Sequence, residues 1–131
     1  MYVRKFTVPV TTDGSGDATA FTALDGRGNA DQINGRVVSI AYTKTDFATG
    51  VDFTITDETT GQTIWTEANV DASKTVAPRQ ATHSTAGVAS LYAAAGTAVQ
   101  GDVFVANERI KIVVANGGVT KTGSFVIHVA T

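Results

Sequence analysis

Three stretches of the chain hold carboxylates or glycines at spacings that ion- and phosphate-binding loops use. Asp13-x-Ser15-x-Asp17 has the opening spacing of a calcium loop. Such a loop, set between two helices, then needs Gly at its sixth position and a bidentate Glu at its twelfth. Those positions hold Ala18 and Leu24, so the pattern fails. Asp25-Gly26-Arg27-Gly28-Asn29-Ala30-Asp31 lacks the same Gly and terminal Glu. Gly117-Gly118-Val119-Thr120-Lys121-Thr122 resembles a phosphate-binding loop only faintly. That motif needs Gly directly before Lys and a helix after it to aim amides at the phosphate; here Thr120 precedes Lys121 and a strand pattern follows.

Covalent and acid–base chemistry fare no better. A Ser-His-Asp hydrolase would draw its base from His83 or His128, the two histidines present. His128 alternates with Ile127 and Val129 and so faces away from an apolar layer; His83 merely adjoins Ser84. Neighbours in sequence seldom have the mutual geometry of base and nucleophile. Asp57-Glu58 is a carboxylate pair, but it falls in a turn pattern with no aromatic-rich stretch nearby to hold a sugar. The chain has no cysteine, which removes disulfides, thiolate metal sites and thiol nucleophiles. The expectation is a protein with no catalytic residues, no metal and no cofactor, which works by binding and assembly.

Composition limits the partners. The 131 residues suit one domain able to bury a full core, with 43% hydrophobic and 17% charged residues. The net charge is −2, and the ten basic residues are spread so thinly that Arg4-Lys5 is their densest pair. Nucleic-acid binding through phosphate neutralisation needs a concentrated basic face, so no nucleic-acid partner is expected. The opening Met-Tyr-Val-Arg-Lys-Phe-Thr-Val-Pro-Val has no apolar run behind its charges, unlike a secretory signal. No stretch approaches the roughly 20 apolar residues of a membrane helix. Neither export nor a membrane partner is expected, and synthesis in a reducing cytoplasm fits.

The elements that would carry any site are strands. Alternation places Phe6, Val8 and Val10 on one side of residues 2–10, and Val38, Ile40 and Tyr42 together in residues 36–43. It aligns Val51, Phe53 and Ile55 in residues 51–57, Ile110, Ile112 and Val114 in residues 109–115, and Phe125, Ile127 and Val129 in residues 123–130. A two-residue period is what a half-buried antiparallel strand requires. Residues 18–22 and 62–67 read as further short strands. Asp13–Asp17 reads as a hairpin turn, Glu58–Gly61 as a turn, and Asn116-Gly117-Gly118 as a hairpin between the last two strands. Leu24–Gly35 reads as an exposed loop, and residues 84–98, with Ala93-Ala94-Ala95, as a short helix or a packed irregular loop.

Seven or eight short strands, each with one apolar face, must pair those faces across two layers. A single-domain, all-β, two-sheet antiparallel sandwich over residues 1–131 is favoured, with the jelly roll as one form of it and a small barrel as the alternative. Ile64 and Trp65 are expected on opposite faces of one strand. Either that strand is covered on both faces, or Trp65 is an aromatic anchor at a subunit contact.

Several runs resemble a known family. They are Trp65-Thr66-Glu67, Asn69-Val70, and Val76-Ala77-Pro78-Arg79-Gln80-Ala81-Thr82-His83-Ser84-Thr85-Ala86-Gly87. The ending Asn107-Glu108-Arg109-Ile110-Lys111-Ile112-Val113-Val114-Ala115, with Gly117-Gly118 and Lys121-Thr122-Gly123, belongs with them. Together, over about residues 36–131, they resemble small head proteins of tailed bacteriophages and prophages, regarded as capsid decoration or cement proteins. Pro78–Gly87 is the most specific part. The resemblance implies a virion structural protein on the outer capsid surface, made in the host cytoplasm. Its partners would be the major capsid protein and itself, as a homodimer or homotrimer. It implies no reaction and no cofactor. Candidate subunit or capsid contacts are Trp65, Arg79 and Tyr92, and residues 1–35, which match least, are a candidate N-terminal docking arm. A phage tail or fibre-tip component and a carbohydrate-binding β-sandwich module are the alternatives that composition also suits.

Overall fold

A computed structural model describes residues 1–22 and 33–131, which form eleven strands and no helix. In chain order they are β1 (Val3–Thr11), β2 (Ala18–Phe21), β3 (Ile33–Lys44), β4 (Val51–Asp57), β5 (Thr63–Val70), β6 (Lys74–Val76), β7 (Arg79–Ala81), β8 (Gln100–Asp102), β9 (Phe104–Glu108), β10 (Ile110–Ala115) and β11 (Thr122–Ala130). One sheet runs β1-β11-β3 with β6 and β9 both on the far edge of β3; the other runs β2-β10-β4-β5. A third, two-stranded ladder joins β7 and β8. The fold is the expected antiparallel β-sandwich.

The pairing is nested. β1 pairs with β11, β2 with β10, β3 with β9, and β4 with β5, each antiparallel. This is one long antiparallel ribbon, with the β4–β5 hairpin at its tip, wound so that successive lengths fall in alternate sheets. That is the winding of a jelly roll. It explains why two turns expected to be hairpins are not. β1 and β2 lie in different sheets, as do β10 and β11, so Asp13–Asp17 and Asn116–Gly118 are crossovers between layers. Gly117 passes so close to Thr12 that a Cβ would stand 2.8 Å from its methyl, and Gly118 takes φ 85°. The Gly-Gly pair serves this crossover. Thr12 Oγ1 donates to Gly118 O at 2.6 Å, and Gly117 N–H donates to Gly16 O at 2.9 Å, tying the crossovers at one end of the sandwich.

Alternation placed most of the core. Phe6, Val8 and Val10, then Val51, Phe53 and Ile55, then Ile110, Ile112 and Val114, then Phe125, Ile127 and Val129 all face inward. Where a strand bulges, alternation misleads, because the extra residue shifts every later side chain by one face. β3 slips against β11 between His128 and Val129, so Val37, not Val38, completes the inward row with Ile40 and Tyr42. β5 slips against β4 between Ile55 and Thr56, and the irregularity buries both Ile64 and Trp65. Ile33–Gly35, expected in a loop, open β3; the Asp25–Asp31 stretch lies outside the described residues. Within residues 1–35, the candidate docking arm, β1 pairs with β11 along its whole length and buries three side chains, so this stretch is built into the sandwich.

Tyr42 reaches the middle of the core, against Phe53 at 5.1 Å and Phe125 at 5.2 Å between ring centroids. Its hydroxyl is buried with no hydrogen-bond partner among the described residues, and burial raises its pKa above the ordinary value near 10. A buried hydroxyl without a partner costs stability that a phenyl ring would not. Tyr42→Phe should therefore leave the protein as stable or more stable, by up to about 1 kcal/mol in chemical denaturation. A loss above about 1 kcal/mol would show that the hydroxyl has a partner. The sign with pH is also set. Because the folded pKa is the higher one, this group's contribution is intact below pH 10 and is lost as pH rises through the folded value. Tyr42→Phe should remove that alkaline loss.

Candidate interaction surface

β6 and β9 both run antiparallel to β3 along one edge, β6 opposite Ile40–Tyr42 and β9 opposite Ile33–Arg36. They are two halves of one interrupted strand. The interruption, residues 77–103, leaves at Val76 and returns at Val103, whose carbonyl accepts from Val37 N–H at 2.9 Å. Within it β7 and β8 pair as the stem of an arm, and no residue from 83 to 97 is buried. The segment expected as a short helix or packed loop is therefore a projecting arm.

The arm holds its shape through its backbone. Beyond the stem, three lengths of chain meet in a closed ring of hydrogen bonds. Thr82 N–H donates to Val99 O at 2.9 Å, Val99 N–H to Ser90 O at 2.8 Å, and Ser90 N–H to Thr82 O at 2.9 Å. Thr82 Oγ1 also donates to Val99 O at 3.0 Å. Two turns close the tip. Ser84 N–H donates to Val88 O at 2.8 Å, and Ser84 Oγ accepts from the amides of Ala86 and Val88. Tyr92 N–H donates to Thr97 O at 3.0 Å across Ala95, which sits at φ 55°. An alanine held in the left-handed region costs roughly 1 kcal/mol and persists only where its surroundings impose it. Isolated antiparallel bridges pair His83 with Ala89 and Leu91 with Ala98.

The stem fixes the arm's angle. Asp102 lies between two arginines, 3.6 Å from Arg36 of β3 and 3.7 Å from Arg79 of β7. Gln62, beside the β4–β5 turn, donates through Nε2 to Gln80 Oε1 at 2.9 Å, and Gln80 Nε2 donates to Asp102 O at 3.3 Å. Past this polar base the charge stops. From Gln80 to Gly101 there is no Lys, Arg, Asp or Glu, although the chain holds ten cations and twelve anions. The exposed tip carries Val88, Leu91 and Tyr92.

The three candidate contacts separate. Tyr92, at the tip, is 74% exposed. Arg79 stands in the stem, paired with Asp102 and donating to Pro78 O at 2.8 Å. Trp65 is 8% exposed and packs edge-on against Phe53 at 4.7 Å, so it belongs to the core and is not free to anchor a partner. A second exposed patch escaped the sequence reading. The row Val3, Ala130, Arg36, Phe104 crosses the outer face of the larger sheet, with Val3 and Phe104 exposed, Ala130 buried between its neighbours and Met1 Sδ 3.6 Å from Arg36.

The residues weighed for chemistry hold structure. Asp13 accepts the amides of Ser15 and Asp17 at 2.8 and 3.0 Å, which lowers its pKa. Asp57 is buried and accepts from the amide and hydroxyl of Thr60, closing the β4–β5 turn. Glu58 pairs with Arg109, whose hydrogen bond holds the carboxyl below its usual range. His128 faces outward, 3.3 Å from Ser39 Oγ, and His83 is exposed on the arm. Among the described residues no three His, Asp or Glu side chains gather as a metal site would need.

Burial predicts opposite outcomes for the two aromatics. Trp65→Ala should cost about 3–5 kcal/mol in denaturant unfolding. Tyr92→Ala should stay within about 0.5 kcal/mol of the parent. Equal losses would place Tyr92 in the core.

No protein-family model matches the chain, and no curated protein matches it. Among solved structures, the crystal structure of FlhE aligns over all of both chains at 11% identity with a TM-score of 0.44.

Proposed function

We propose that this protein is a capsid decoration protein of a tailed bacteriophage, binding the outer surface of the assembled head through the 77–103 arm. The carrying observation is the arm itself: a projection inserted into an edge strand, held by its own backbone hydrogen bonds and without Lys, Arg, Asp or Glu from Gln80 to Gly101. It contains Pro78–Gly87, the stretch on which the resemblance to phage head proteins is most specific. A jelly roll is also an architecture that viral capsid domains use, although it serves lectins and cupins too, so the fold adds only an analogy.

The reading includes self-association as a dimer or trimer. Edge pairing through β1 is a poor route to it, because this edge strand of the larger sheet carries Pro9, which lacks an N–H to donate. The Val3–Phe104 row offers a face instead. An oligomer that touches several shell subunits gains apparent affinity through effective concentration, and a ligand that favours the assembled shell stabilises it.

Purified protein added to undecorated, expanded capsids should co-sediment with them and raise their heat resistance. It should leave unassembled capsid protein in the supernatant. Absence from the shell, with protein found instead at the tail of native virions, would end the decoration reading.

A further inference from the structure

The arm's chemistry states what kind of surface receives it. Taking a charge out of water without a partner is expensive, and a buried polar group without a hydrogen bond costs almost as reliably. The arm carries neither liability at its centre. It has no charged side chain from Gln80 to Gly101. The amides and carbonyls of Thr82, Ser90 and Val99 are paired with one another, and the Thr82 and Ser84 hydroxyls already serve the backbone. The shape is set before any partner arrives, so little ordering entropy remains to be lost. Tyr92 has only two side-chain torsions to fix and a large contact area, the profile of an anchor residue.

Such a surface suits dry burial and suits few other partners. Phosphate backbones and anionic lipid headgroups need Lys or Arg, and the arm beyond Arg79 in its stem has none. We infer, building on the shell-binding reading, that the arm tip inserts into an uncharged, apolar groove of the capsid shell protein. Val88, Leu91 and Tyr92 are its anchors, and the contact is insensitive to ionic strength. The ionic groups Arg36, Asp102 and Arg79 stay at the base, where they orient the arm and do not make the contact.

The test measures binding of the full-length protein to undecorated capsids at about 0.05 M and about 0.5 M salt, a range across which the screening length shortens severalfold. The parent's Kd should shift by less than about threefold, far below the change expected of a charge-driven contact. Tyr92→Ala and Leu91→Asp should each weaken binding at least about thirtyfold, the scale of an interface hot spot, with melting temperatures like the parent's. Should Leu91→Asp fail to fold, Tyr92→Ala and Val88→Ser decide the matter. Parent binding that falls tenfold or more with salt, or that survives these substitutions, overturns the inference while leaving shell binding in place. No retention of the parent on shells at either salt overturns both.

Discussion

Phe53 joins the two sheets. It projects from β4 into the space between the layers, meeting Trp65 of its own sheet at 4.7 Å and Tyr42 and Phe125 of the opposite sheet at 5.1 and 5.0 Å. The contacts with Trp65 and Phe125 are edge-on, the geometry that ring quadrupoles favour, worth about 0.5–1.5 kcal/mol per pair beyond the area they bury. Phe47 extends the cluster by stacking on Tyr42 at 6.1 Å. It fills the space beside Gly123, where a Cβ would stand only 2.5 Å from its ring. With no cysteine to staple the layers, this inter-sheet packing carries the fold, and the bulge in β5 is what lets Trp65 take part.

Because the core closes around those rings, the edge of the larger sheet is free to carry something else. Interrupting an edge strand costs few ladder hydrogen bonds, since β6 and β9 still pair with β3 on either side of the gap. The inserted arm contributes nothing to the aromatic cluster and takes no support from it. Its rigidity comes from the Thr82–Ser90–Val99 ring and from the Arg36–Asp102–Arg79 pairing at its base. Core and arm are thus two separate solutions to ordering a chain, one by burial and one by backbone hydrogen bonds.

That division explains what could be read in advance. Uninterrupted strands announced themselves: β4 alternates through its whole length, and β1, β10 and β11 nearly so. Bulges do not show in a hydrophobic pattern, because β-branched residues such as Val37 and Val38 are interchangeable in it. Hence the pattern points to Val38 where β3 buries Val37, and leaves open whether Trp65 is covered or a surface anchor. Crossovers were mistaken for hairpins since Gly-rich turns serve both, and only the pairing of distant strands tells them apart. The arm offered no periodicity, having no core to face. Its one legible signal was the absence of charge between Arg79 and Asp102, which marks the surface more clearly than any single residue in it.

The central claim is that the sandwich stands without the arm and that the arm exists for a partner. The most direct measurement removes residues 77–103 and rejoins Val76 to Phe104 through about three small residues, the gap that the β3 register leaves between them. Thermal and denaturant unfolding of this shortened chain should be cooperative, with stability within about 3 kcal/mol of the parent, since the buried residues lost are Pro78 and Val103. A shortened protein that fails to fold, or unfolds without cooperativity, would show that the arm is part of what holds the sandwich together.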